Sequence, residues 1–386
     1  MAQRPFPPRT GRSASPTGAS PGGIIDMDER AGGAGQGARQ RVAEHDDKTR
    51  AATIFDVARL AGVSHQTVSR VLNDLPNVRP ATRARVEQAI TQLRYVPSPA
   101  ARALVTRRTR TLGLIVTGAP DYGPSSTALH FNEAARDARY AVITASMLET
   151  DAASMRSTAE LLVRQNVEAI VLIAAQRAAL DALDGIELGV PIVAVASEER
   201  GAMHRVWLDQ YAGARLAVEH LIGLGHRAIR HVAGPLNAMD AAERVRGWAA
   251  ALGDHGLPAR EPLVGDWSPG SGYVHGRALA ADPDMTAVFV SNDQMALGVM
   301  HALAEAGRSV PGDVSVVGFD DIPEAAFFAP PLTTIRQDFD ALGRDAMAGV
   351  LTVLGDDDRM PAPRVPDLVV RTSTAAPSRD RAAVTS

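Results

Sequence analysis

The sequence predicts an α/β protein in which a small helix-turn-helix headpiece precedes a core of parallel sheets flanked by helices. Three observations carry that prediction. Residues 53–73, TIFDVARLAGVSHQTVSRVLN, hold two short helical patterns around a Gly. From Thr111 to Phe319, apolar runs of strand length alternate with helical stretches. Charge is divided unevenly: residues 53–110 set ten arginines against Asp56, Asp74 and Glu87, a net +7, and the chain from residue 111 onward is −13 within a total of −4. A basic module on an acidic body is the footprint of a nucleic-acid-binding domain.

Length and composition bound the classes. A chain of 386 residues suggests more than one folding unit, and 45% hydrophobic with 22% charged residues is ordinary for globular protein. The absence of cysteine excludes disulfides and thiolate metal sites and fits a reducing cytoplasm, the expected location. No apolar run reaches the roughly 18 residues of a membrane span, and the N-terminus lacks the apolar region of a secretory signal. No membrane partner, cofactor or metal is expected. Residues 1–52, rich in Pro, Gly, Ser and Arg without periodicity, read as a disordered extension.

In the headpiece, placed at 53–97, Thr53 and Asp56 have capping-box spacing, and Val57, Ala58 and Ala61 form a buried stripe. Gly62 supplies a turn in which a positive φ is cheap only without a Cβ. Ser64 caps a second helix whose Val68, Val71 and Leu72 face inward. His65, Gln66, Ser69, Arg70 and Asn73 are left on the outer face, as a helix entering a major groove requires. A third helix near 80–94 closes the small core with Val86, Ala89, Ile90 and Leu93. The segment 98–110 begins with a Pro-started, Ala-rich stretch that is helical in propensity yet marginal when isolated.

The core, placed at 111–375, has strands expected at 112–116, 141–145, 169–173, 191–195, 228–234, 287–290 and 314–319. Helices are expected at 128–139, 154–165, 211–224, 240–253 and 293–306. Ligands in such folds bind beyond the carboxyl ends of the strands. The tail, 376–386, has no Leu heptad and reads as disordered, so a dimer is expected rather than a zippered tetramer.

Taken in order, the helix-turn-helix, the Ala-Arg-Ala-Leu hinge, AGPL (233–236), SNDQMALG (291–298), VSVVGFDD (314–321) and PPLTTIRQDF (330–339) resemble the lactose-repressor (LacI/GalR) family of bacterial transcription regulators. The resemblance runs from about Thr53 to about Thr372. It implies a DNA headpiece, a hinge helix, a two-lobed core like a periplasmic sugar-binding protein, and a homodimer reading double-stranded, palindromic operator DNA.

Residue by residue, the resemblance places His65, Gln66 and Arg70 at base edges. Gln pairs bidentately with adenine and Arg with guanine. Thr67, Ser69 and Asn73 suit phosphates, and Thr53, Ser64, Asn77 and Arg102 complete the implied DNA set. Leu104 matches a wedge driven into the minor groove; the alternative is packing against the core or its dimer mate. Arg244, Asn292, Asp320 and Gln337 match effector-contacting positions, whose charged planar groups hold adjacent sugar hydroxyls. Trp267 matches an aromatic that stacks on a sugar ring, against core packing as the alternative, and Phe339 another pocket residue. Asp320 has a strand-end turn as its alternative.

One position departs from the pattern. Where the lactose repressor has a sugar-binding Asp, this chain has Ala196, with Ser197 and Glu198 as substitutes, and the loop 121–130 is expected to line the same cleft. The expected function is repression of carbohydrate-utilisation genes, relieved by a glycoside or disaccharide; corepression is the opposite sign. A solute-binding protein with the same core is a rival, opposed by the basic headpiece. An enzyme is another, but the sequence has no P-loop or GxGxxG.

Overall fold

The computed structural model describes residues 52–72, 74–96, 108–148, 150–198, 203–355 and 359–378. Asn73, Arg102 and Leu104 lie outside them, as do the expected extension up to residue 51, most of the expected hinge and residues 379–386. The chain divides into two units, one ending at Pro97 and one beginning at Ser98.

The first unit is a bundle of three helices, α1 (Ile54–Ala61), α2 (His65–Leu72) and α3 (Pro80–Leu93). Both halves of the capping box form: the Thr53 amide donates to Asp56 Oδ2 at 2.9 Å, and the Asp56 amide to Thr53 Oγ1 at 3.4 Å. Gly62 ends α1 in the left-handed region, φ 64°, and its N–H satisfies orphaned carbonyls of the last turn. Ser64 Oγ then accepts the Thr67 amide at 3.3 Å, opening α2. The core is Val57, Ala58, Ala61, Val68, Val71, Val86 and Ala89, with Leu72, Ile90 and Leu93 packed at its edge. Small side chains here let the helices approach closely.

The second unit holds two sheets. Strands β1 (Thr111–Thr117), β2 (Ala141–Met147), β3 (Ile170–Ile173), β4 (Ile192–Val195) and β5 (His204–Val206) form a parallel sheet in the order β2-β1-β3-β4-β5. Strands β6 (Ile229–Ala233), β7 (Leu263–Val264), β8 (Ala287–Val290), β9 (Ser315–Asp320), β10 (Thr333–Arg336) and β11 (Asp367–Val369) form the other, in the order β11-β10-β9-β8-β6-β7, with only β11 antiparallel. The central strands are continuous apolar runs because helices cover both faces. The covering helices of the first sheet are α4 (Tyr122–Asp137), α5 (Ala152–Arg164), α6 (Arg177–Leu183) and α11 (Phe339–Val353). Those of the second are α7 (Gln210–Gly223), α8 (Met239–Asp254), α9 (Pro269–Ala280) and α10 (Asp293–Glu305). Two apolar layers fill each lobe. No helix among the described residues is long and apolar enough to cross a membrane.

The seven expected strands all form, and β5, β7, β10 and β11 are additional. Two differences bear on function. The loop expected at 121–130 is the opening of α4, which begins at Tyr122 rather than near residue 128. Pro124 lies in its first turn, where the missing N–H costs nothing. The chain also passes between the sheets at three neighbouring places, near 207–210, 336–339 and 364–367. They are tied together by a bridge between Leu208 and Arg364, and by Gln210 Nε2 donating to Gln337 Oε1 at 2.7 Å.

Candidate functional site

In the headpiece unit, His65, Gln66 and Arg70 are exposed along the outer face of α2, with Ser69 beside them half-buried. Phe55 of α1 is 60% exposed and lies against His65, ring centroids 5.2 Å apart. That is a large apolar ring left in water beside the polar outer face of α2. Thr53 and Ser64 are engaged in their caps, and Thr67 Oγ1 lies 3.0 Å from Ser64 Oγ. Asn77 is exposed with a left-handed φ of 77°.

In the second unit, the carboxyl ends of both sheets face one cleft of about 810 Å³, counted out to its open mouth. Arg244, Trp267, Asn292, Asp320, Gln337 and Phe339 all line it. They converge because they follow strands or lie in the first turns of helices at the carboxyl ends of the sheets. Asp320 is the last residue of β9, Asn292 follows β8 and Gln337 follows β10.

A relay of hydrogen bonds fixes these groups. Gln337 Nε2 donates to Asp320 Oδ1 at 2.6 Å, and Arg244 Nε donates to Gln210 Oε1 at 2.9 Å. Arg244 also donates to the Ser291 carbonyl, stands 3.7 Å from Asp320 and lies over the Phe319 ring at 3.9 Å. The guanidinium thus enters the cleft already oriented. Burial raises the Asp320 carboxyl to about 6, against the opposing pull of Arg244 and Gln337. Beneath it, Asp293 accepts from the Ile322 amide and Thr334 Oγ1, at 2.9 and 2.6 Å, and pins the strand ends. Burial pushes the Asp293 carboxyl well up.

Trp267 is held by its surroundings. Its backbone sits at φ 72°, sterically unfavourable for a bulky residue, and its carbonyl accepts from Asn292 Nδ2 at 3.0 Å. The ring lies directly on Gly234, where a Cβ would come within 2.3 Å of it. One side packs on the core of the second lobe, as the core-packing alternative expects, and the residue also lines the cleft. Asn292 caps α10 through the Met295 amide at 2.9 Å; its amide steadies Trp267 and has little left for a ligand. Phe339 meets Tyr122 edge-on, centroids 5.6 Å apart.

The substitutes expected beside Ala196 need correction. Ser197 lines the cleft, but Glu198 does not; it is drawn into an ion pair with Arg177. The carboxylate near Ser197 is Asp240, which accepts its hydroxyl. Sequence reading missed Asp240, Gln210 and Trp207, all lining residues. Asp240 follows AGPL closely enough to have been suspected. Trp207 follows a three-residue strand that has no sequence signature.

Comparison with known proteins now bears on the whole. Residues 53–98 match the model for bacterial regulatory proteins of the lacI family, and residues 218–374 that for a periplasmic binding protein-like domain. The Lactose operon repressor of Escherichia coli (strain K12) is 32% identical over 337 residues, covering 86% of this chain and 92% of that protein. The chain belongs to the LacI family. Among solved structures of LacI-family regulators, the lac repressor dimer bound to operator and the anti-inducer ONPF superimposes with a TM-score of 0.76. It is 30% identical and covers 85% of this chain and 100% of that one. The transcriptional regulator CelR-cellobiose complex superimposes with a TM-score of 0.62, at 32% identity, over 83% of this chain and 99% of that one.

Proposed function

We propose that this LacI-family regulator is a homodimeric repressor of carbohydrate-utilisation genes, released from a palindromic operator by a glycoside or disaccharide. The observation that carries the sugar assignment is the cleft. A fixed planar cation and carboxylate, Arg244 and Asp320, stand among aromatic walls, Trp267 from one sheet and Trp207 from the other. Hydroxyls that donate and accept suit the first pair, and the apolar faces of a pyranose suit the second. The related structure bound to cellobiose supports the class of ligand.

At the DNA end, Gln66 and Arg70 read bases, His65 reads alongside them, and Thr67 and Ser69 hold phosphates. Thr53, Ser64 and Asn77 present the helix and its flanks to the backbone, with Asn73, Arg102 and the Leu104 wedge completing the contact. Sugar binding between the lobes shifts the three crossovers, and the resulting coupling free energy is of order 1–3 kcal/mol.

A thermal-shift panel of mono- and disaccharides on the full chain tests this, followed by fluorescence anisotropy on DNA from upstream of its own gene. A stabilising disaccharide that lowers DNA affinity is expected. A stabilising ligand that raises DNA affinity would reverse the sign to corepression. A panel in which no sugar shifts the melting temperature would refute the sugar reading.

A further inference from the structure

The cleft carries more negative charge than the Arg244–Asp320 pair accounts for. Among its described lining residues Arg244 is the one cation, against Asp121, Asp240 and Asp320. That guanidinium is committed to Gln210, to the Ser291 carbonyl and to Asp320. Asp121 and Asp240 therefore have no compensating cation in the cleft. Asp240 accepts from the neutral hydroxyl of Ser197. Asp121 occupies the N-cap of α4, yet its carboxylate caps no helix N–H.

The two carboxylates come from opposite lobes. Asp121 follows β1 of the first sheet, and Asp240 lies in the first turn of α8, which packs on the second. Burial and then the charge of Asp266 raise the Asp121 carboxyl. Asp240 and Asp121 both push the Asp320 carboxyl up, so the three share one field. Among the described lining residues no second cation offsets that field; Arg205 stands behind the wall, over the Trp207 ring at 3.6 Å and donating to the Ser197 carbonyl.

We propose that Asp121 and Asp240 determine specificity, making the cleft select uncharged or amine-bearing sugars and reject phosphorylated or carboxylated forms of the same sugars. The proposal rests on the sugar-effector reading above. A carboxylate accepts hydrogen bonds from a hydroxyl and, more strongly, from an ammonium group. A phosphate would bring further negative charge into a partly dehydrated cleft with two uncompensated anions, where solvent screens poorly.

The test uses the full chain and isothermal titration with matched sugars: cellobiose and its 6-phosphate, glucose and glucose 6-phosphate, and glucosamine. A neutral or amino sugar is expected to bind at least about a hundredfold more tightly than the phosphorylated counterpart. Asp121→Asn and Asp240→Asn, singly and together, should narrow that ratio stepwise, with unchanged melting temperatures of the ligand-free proteins showing that the fold survives. Either single variant suffices where the double variant does not fold. A phosphorylated sugar that binds as tightly as its parent overturns the proposal and leaves the sugar reading standing. A ratio unmoved by either substitution also overturns the proposal. Binding of no sugar, charged or neutral, overturns both.

Discussion

Single residues set the two ends of this regulator. Gln66 and Arg70 project from the outer face of α2 into water, and a bidentate base contact is worth about 1–3 kcal/mol of discrimination. Gln66→Ala and Arg70→Ala should therefore each weaken operator binding by about that amount, and flatten sequence preference at one base pair. Anisotropy on single-base operator variants checks this; uniform loss across all sequences would reassign the side chain to phosphates. At the other end, Gly234 is the seat of the Trp267 ring, with no room for a Cβ. Gly234→Ala should dislodge the indole and weaken sugar binding by about tenfold or more, at about 1–3 kcal/mol of stability. Titration calorimetry alongside thermal unfolding separates the two effects. Undiminished affinity would show that the indole does not stack on the ligand.

At the scale of elements, the headpiece joins a small apolar core to well-formed caps. Its buried core is Val and Ala, with Ile54, Leu72, Ile90 and Leu93 packed at the edge, and the Thr53–Asp56 box satisfies the first turn of α1. Thr53→Ala should cost about 1 kcal/mol, seen as faster amide exchange in α1 and weaker DNA binding at unchanged sugar affinity. Both of those helices were legible because caps, Gly and stripe agree within twenty-one residues. The central strands were legible because burial on both faces makes each a continuous apolar run, as at AVFV in β8. Strands of two to four residues such as β5, β7, β10 and β11 carry no such pattern; their neighbours create them. The same holds for the start of α4, where Tyr122-Gly123-Pro124 has loop chemistry and becomes helix because α11 packs against it.

For the whole molecule, buried titratable groups set the response to acid. His231 is stacked between Trp248 and Phe289, at 5.2 and 4.7 Å, and burial lowers it to about 4. Near neutrality it is uncharged whether folded or unfolded. Below about pH 6.5 the unfolded chain takes the proton first, so stability falls until about pH 4, by about 3 kcal/mol in all. Asp320 has the opposite sign. Its folded carboxyl takes a proton at about 6, before the unfolded one near 3.8, so acidification across that interval adds stability. Urea unfolding between pH 7 and about pH 5 should show a steeper acid loss in Asp320→Asn and a flatter one in His231→Leu; equal slopes would rule out both assignments. Reciprocal coupling belongs at this scale too: saturating operator should weaken sugar binding by the same factor that sugar weakens operator binding. The sequence by itself determined the helix-turn-helix, the alternation of strands and helices, and the six effector candidates, because caps, periodicity and motifs act over short stretches of chain. Only the tertiary structure decided how these six are arranged in one cleft, that Asn292 is spent on a cap, and that Asp240, Gln210 and Trp207 join them. Three crossings between the sheets bring residues more than two hundred positions apart to the same strand ends, and charge balance in a cleft is a property of that convergence.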